Sequence, residues 1–134
     1  MRRGEHDLGT LLRSMEPTIS DVEYVFVSME ESLSEGLRAD SLLMFKEEEG
    51  VTLILERNMA DSLGLEYLAT WALITLSVHS DLEAIGFIAR ISTELAKEGI
   101  SVNIVSAYFH DHLFVPFEDG QEAMEVLQAL SENP

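Results

Sequence analysis

Cysteine is absent from the 134 residues, which removes thiol catalysis, thiolate metal sites and disulfides at once. Positive charge is scarce: 8 Lys and Arg stand against 25 Asp and Glu, a formal net charge of −17. The acid is spread along the chain, so the surface repels phosphate backbones and anionic lipid, whose binding relies on Lys and Arg releasing counterions. Neither nucleic acid nor a membrane is an expected partner. No apolar run approaches the roughly 20 residues needed to span a bilayer. Met1-Arg2-Arg3 runs into polar Gly4-Glu5-His6-Asp7 rather than an apolar signal core, so the expectation is a soluble, cytoplasmic protein. Also missing are a Gly-x-Ser-x-Gly elbow and a glycine-rich phosphate loop of either type. Nothing in these patterns argues for an enzyme, and no cofactor or metal is expected.

What is present is a chain that can bury a core, 46% hydrophobic and 25% charged, in one domain or two very small ones. The second half is the clearer. Residues 70–78, Thr70-Trp71-Ala72-Leu73-Ile74-Thr75-Leu76-Ser77-Val78, are β-branched and aromatic-rich, and read as a buried strand. From Ser80 the period changes, with Leu82, Ile85, Ile88, Ala89, Ser92 and Leu95-Ala96 at helical spacing. Ser80 with Glu83 fits a capping box at the helix start, and Gly99 fits a left-handed stop. Residues 101–107 and 112–117 read as two strands, followed by a helix over residues 121–130. Asp119 and Glu122 offer its cap, and Met124, Leu127 and Leu130, with Ala123 and Val126, form its packed side.

The first half is a weaker echo. Residues 7–15 read as a short helix with Leu8, Leu11, Leu12 and Met15 inward, stopped by Pro17. Residues 23–29 read as a strand, 41–45 and 51–56 as a hairpin across Lys46-Glu47-Glu48-Glu49-Gly50, and 59–63 as a short helix. Residues 32–40 have room for about two helical turns, and residues 65–78 for one long strand or two short ones. The order predicts an α+β chain of two ferredoxin-like βαββαβ units packed together, antiparallel sheets with helices on one face. Residues 1–68 form the divergent unit and 69–134 the clearer one, whose final strand is not visible before Pro134.

Four histidines are available, His6, His79, His110 and His112. His110-Asp111-His112 would suit a metal if it lay on one strand, because His-x-His puts both imidazoles on one face. The chain has to turn there, however, and Asp111 is a common turn residue. A hairpin link is the favoured reading, and a metal site the lesser alternative. Glu47-Glu48-Glu49 before Gly50 reads as a solvated turn.

The strand-to-helix junction His79-Ser80-Asp81-Leu82-Glu83-Ala84-Ile85-Gly86 is more informative. A helix N-terminus leaves N–H groups unpaired and carries partial positive charge. A glycine one turn inside a helix costs about 1 kcal/mol relative to alanine and has a packing or access reason. Asn103 is a polar group in an apolar strand and needs a partner.

Residues 81–89, Asp81-Leu82-Glu83-Ala84-Ile85-Gly86-Phe87-Ile88-Ala89, followed by Leu95-Ala96-Lys97-Glu98-Gly99-Ile100-Ser101-Val102-Asn103-Ile104, resemble the ACT domain: a strand, an acidic residue with glycine at the helix start, then Leu-x-x-x-Gly-Ile-x-Val into the next strand. The continuation His110-Asp111-His112-Leu113-Phe114-Val115-Pro116 is similar to that of small stand-alone proteins with two ACT-like units, and more distantly the chain resembles the paired ACT units of a eukaryotic cytosolic arginine sensor. The resemblance spans residues 70–130. The first half lacks both the long first helix and the Gly-Ile-x-Val signature.

The resemblance implies regulation. ACT domains of aspartate kinase and related enzymes bind amino acids at interfaces between units, through the loop before the first helix and the start of the second strand. Carried over by position, that implies a ligand set of Ser80, Asp81, Ile85, Gly86, Asn103 and Ile104, with Asp81 receiving an ammonium and exposed N–H groups a carboxylate. It implies an amino-acid sensor with a separate output partner, and a sheet with one face or edge to cover implies a homo-oligomer. The alternative is a ligand-free interaction module of the same fold.

Overall fold

A computed structural model describes residues 4–134; the basic start Met1-Arg2-Arg3 lies outside the described residues. The elements in chain order are α1 (Leu8–Ser14), β1 (Pro17–Met29), α2 (Glu31–Ser34) continued by a 3-10 turn (Glu35–Asp40), β2 (Leu43–Lys46), β3 (Val51–Glu56), α3 (Arg57–Ser62), β4 (Trp71–Leu76), α4 (Phe87–Lys97), β5 (Asn103–Ser106), β6 (Asp111–Pro116), a 3-10 turn (Phe117–Asp119) and α5 (Gly120–Glu132). They form two compact units. One comprises the residues up to Asp21 together with Ala72–Pro134, and the other is Val22–Trp71.

In the first unit the strands lie in the order β1, β4, β6, β5. Alternate residues of β4 (Ala72, Ile74, Leu76) and β6 (Leu113, Val115) pack against Leu11, Leu12 and Met15 of the α1 segment, Phe87, Ile91 and Leu95 of α4, and Ala123, Met124, Leu127 and Leu130 of α5. The period of two in the strands and of about 3.6 in the helices thus meets in one core. The final strand of the βαββαβ pattern, missing after α5, is supplied from the other end of the chain: the first residues of β1 take the place beside β4, and the Thr18 hydroxyl donates to the Thr75 carbonyl at 3.4 Å. That order is the ferredoxin-like one, with the last strand entering first.

The second unit repeats the order in reduced form. Val22–Met29 of β1 pairs antiparallel with β3, from Tyr24↔Glu56 to Met29↔Val51, and β3 with β2, from Leu43↔Ile54 to Lys46↔Val51. Its core is Val25, Val27, Val51, Leu53, Leu55 and Ala60, with Leu37, Met44, Leu65 and Tyr67 at its margin. The stretch over residues 65–70 is not strand; β4 begins at Trp71, whose ring meets Phe26 edge-on at 5.9 Å.

Three expectations need correction. The helix placed from Ser80 begins at Phe87, with Gly86 as its N-cap in the left-handed region (φ 88). Residues 80–84 instead satisfy one another locally: the Glu83 N–H donates to Asp81 Oδ1 at 2.9 Å and the Ala84 N–H to the Asp81 carbonyl at 2.9 Å. Such bonds compete with helix. Leu82 and Ile85 are therefore exposed, and the buried stripe is Phe87, Ile91 and Leu95 rather than one running through Ala89 and Ala96. Second, Asp119 occupies the N-cap position of α5 without a side-chain capping bond, because the preceding 3-10 turn leads directly into the helix. Third, the hairpin between β5 and β6 turns at Tyr108 and Phe109, closed by the Ala107 N–H on the His110 carbonyl at 3.0 Å. Asp111 is already a strand residue, opposite Ser106, and His112, opposite Val105, lies in the strand as placed.

Candidate functional site

The junction after β4 is fixed from three sides. From β6, Asp111 shares the core-facing side with Leu113 and Val115 and is buried. A carboxylate on that side needs a donor, and Ser80, also buried, donates its hydroxyl to Asp111 Oδ2 at 2.6 Å. From the hairpin tip, the rings of Tyr108 and Phe109 lie 6.1 and 5.1 Å from that of His79. From the N-terminal segment, Glu5 pairs in parallel with Ser80: its N–H donates to the His79 carbonyl at 2.7 Å, and the Asp81 N–H donates to the Glu5 carbonyl at 2.7 Å. A cavity of about 60 Å³ remains, lined by Gly4, His79, Ser80, Asp81, Leu82 and Tyr108.

Gly86 has a backbone reason to be glycine, not a packing one. A Cβ there would meet only Leu8 Cδ2, at 3.7 Å, but the positive φ is costly for any residue with a side chain. No side chain caps α4, so its first N–H groups are left for solvent or a ligand.

Of the six residues named from sequence, Ser80, Asp81, Ile85 and Gly86 lie together by contiguity, Ile85 almost fully exposed. Asn103 and Ile104 lie elsewhere on the hairpin. Asn103 faces Phe114 while Ser80 bonds the Asp111 end of the same ladder, three residues or about 10 Å away at a strand's rise. Asn103 is exposed, so water satisfies its amide, and the partner expected for it is not required. Ile104 is partly buried against the core. Sequence reasoning missed Asp111 and Glu5. Asp111 was readable only through the alternation of Leu113 and Val115, which puts position 111 on the core side. Glu5 acts through its backbone and carries no side-chain signal.

The histidines do other work. The rings of His110 and His112 are 6.4 Å apart, and His112 Nδ1 lies 3.0 Å from Thr75 Oγ1. Burial holds the His112 imidazole below the usual histidine range, and His110 acts in the same direction. Among the described residues no group of three or more His, Asp or Glu side chains is placed to hold a metal ion. A wider groove of about 520 Å³ between α4 and α5 is rimmed by Glu94, Glu98, Glu122 and Glu125; it lies toward the C-terminal end of α4, away from the junction.

The strand order β1, β4, β6, β5 with α4 and α5 packed against it defines a ferredoxin-like βαββαβ unit. Two family models, both described as ACT domain, match residues 3–72 and 69–129, and the chain belongs to the ACT-domain family. It is 43% identical to a Vibrio cholerae protein of unknown function, VC0802, described as a possible transport protein, with 92% of this chain and 95% of that one covered and a TM-score of 0.83. The ligand-free regulatory subunit of Thermus thermophilus aspartate kinase shares the fold (TM-score 0.65, 8% identity, 87% of this chain and 97% of that one). So does Escherichia coli aspartokinase III, solved with aspartate and ADP (TM-score 0.62, 17% identity, 85% of this chain and 32% of that one). A search of curated proteins found no match. The matched families are regulatory, not catalytic. Among the described residues no helix is long and apolar enough to cross a membrane.

Proposed function

We propose that the chain is a stand-alone, non-enzymatic regulatory module of the cytoplasm that binds an α-amino acid at the loop over residues 79–86 and passes the signal to a separate output protein. In this reading the two ACT units divide the sequence at residues 68 and 69, and the ligand site belongs to the second. The observation that carries the reading is the junction itself. The left-handed Gly86 ends a loop that is braced by the buried Ser80–Asp111 bond and opens onto the uncapped first turn of α4. Asp81 supplies the negative charge for an ammonium, and the α4 N-terminus suits a carboxylate. Asn103 and Ile104, about 10 Å along the hairpin on edge strand β5, reach such a ligand only from a second copy of the chain, which makes a homo-oligomer part of the proposal.

The test is a thermal-unfolding screen against the standard amino acids. A ligand at 100 times its dissociation constant stabilises by about 2.7 kcal/mol, several degrees for a chain of this size. The expected result is a saturable shift with one amino acid, weakened by Asp81→Ala or Asn103→Ala and unchanged by alanine at Glu47, Glu48 and Glu49. A second reading, a ligand-free interaction module, draws on the exposed Leu82, Ile85, Tyr108 and Phe109 around the same loop. It predicts a flat amino-acid panel and a partner protein whose binding survives both substitutions.

A further inference from the structure

We propose that Glu5 is a built-in occupant of an amino-acid backbone slot, so that residues 4–6 form a strap that a free α-amino acid must displace. The inference rests on the reading of residues 79–86 as the ligand loop and adds to it the recognition atoms and an internal competitor.

The His79 carbonyl and the Asp81 N–H form an acceptor and a donor two residues apart on one extended segment. Glu5 engages both, giving its N–H to His79 at 2.7 Å and taking the Asp81 N–H on its carbonyl at 2.7 Å. Those are the two groups that every α-amino acid carries on either side of its Cα. In a free amino acid they are an ammonium and a carboxylate, and charge makes both hydrogen bonds stronger than the neutral peptide of Glu5 can. The Asp81 carboxylate adds an attraction for the ammonium that an amide N–H does not earn.

Glu5 occupies the slot by backbone alone. Its side chain curls back, Oε1 accepting from the N–H groups of His6 and Asp7 at 3.0 Å each, and enters no pocket. The strap lies flat because residue 4 is glycine: a Cβ there would come within 2.6 Å of the His79 carbonyl oxygen and 2.8 Å of the Asp81 nitrogen. With the strap in place only a small cavity of about 60 Å³ remains beside it. The other anchor is Asp7, which caps α1 through Thr10, so release of the strap frees residues 4–6 and leaves the helix start intact.

The slot is then open for only a fraction of the time, and apparent affinity is reduced by that fraction. Changes that lift the strap should tighten binding. Gly4→Val introduces the clash, and Glu5→Pro removes the N–H given to His79. Glu47→Ala, in the turn between β2 and β3, serves as the control. In each full-length form, NMR amide exchange at Asp81 reports the strap, and titration with the standard L-amino acids, each followed by its N-acetyl derivative, reports the slot. The expected result is a protected Asp81 amide in the native chain, faster exchange in Gly4→Val and Glu5→Pro, and affinity for the responding amino acid raised about tenfold in those two variants only, with no binding of the N-acetyl form. An unprotected Asp81 amide in the native chain overturns the strap. Equal amino-acid affinity in the native chain and in strap-released variants overturns the strap and leaves amino-acid binding standing. No response in any form, with the Asp81 amide freed, overturns both.

Discussion

The two units follow one element order and invest in it unequally. In the first, α4 and α5 run 11 and 13 residues and bury Phe87, Ile91, Leu95, Ala123, Met124, Leu127 and Leu130. In the second, α2 has 4 residues and α3 has 6, and between them they bury Ser34 and Ala60. The turns into the first helix differ as much. Ten residues over 77–86, with a left-handed glycine, a buried serine and an aspartate turn, join β4 to α4, whereas β1 passes into α2 through Glu30 alone. A short connection leaves no loop to build a site from. The same topology therefore carries a long, braced loop before its first helix in one unit and, in the other, is mainly a small sheet with two caps.

The largest expected break in this contrast is in helix anchoring. Phe87→Ala should cost about 3–5 kcal/mol, since a fully enclosed aromatic side chain is lost from the core. Leu33 of α2 is 64% exposed, so Leu33→Ala should stay within about 0.5 kcal/mol. Urea unfolding of the two variants compares them directly, and a similar loss in both would erase the asymmetry.

A smaller effect is expected from the glycines. Gly86→Ala places a side chain at φ 88 and should cost about 1–2 kcal/mol. Gly36 has no positive φ and nothing within 4 Å of a built Cβ, so Gly36→Ala should be neutral or stabilise by up to about 1 kcal/mol. Melting temperatures moving together would show that the junction needs no left-handed residue.

The smallest effect concerns pH. His112 is held below its ordinary value mainly by burial, so the unfolded chain takes up the proton first as pH falls. Its contribution to stability is present above the ordinary histidine range and is lost as pH drops through the lowered folded value. Unfolding free energy measured from pH 7.5 to 5 should therefore decline through that window in the native chain and decline less in His112→Asn. An unchanged slope would mean that His112 titrates alike in both states. No histidine lies in Val22–Trp71, so the second unit has no equivalent dependence.

Much of this was legible before any tertiary contact was known, where the signal is local. The helix α1 lies within residues 7–15 and Pro17 follows its end; Gly99 takes the left-handed stop after α4 (φ 71); the Glu47-Glu48-Glu49 turn joins β2 to β3; and α5 buries the stripe its spacing marks. The capping-box pattern at Ser80 and Glu83 misled because it is also a local signal, and a longer-range one outweighed it. Ser80 has one hydroxyl, and a buried carboxylate 31 residues away claims it. With the serine committed, Asp81 closes a turn and the helix waits for Gly86. The residues proposed for the ligand on the loop form a contiguous motif in the sequence; Asn103 and Ile104 were joined to them by family position, and the ladder sets them apart.

By itself the sequence determined most of the strands and helices, where most of them stop, the absence of thiol chemistry and the acidic surface, because propensity, period, turn chemistry and charge act within a few residues. Tertiary structure decided that the opening of β1 completes the sheet of the C-terminal half, that Asp111 is buried against Ser80, and that the backbone of Glu5 lies in the His79–Asp81 slot. Those depend on which distant segments share an edge or a core. Backbone hydrogen bonds of that kind are open to almost any residue, so the side chains leave little mark of them.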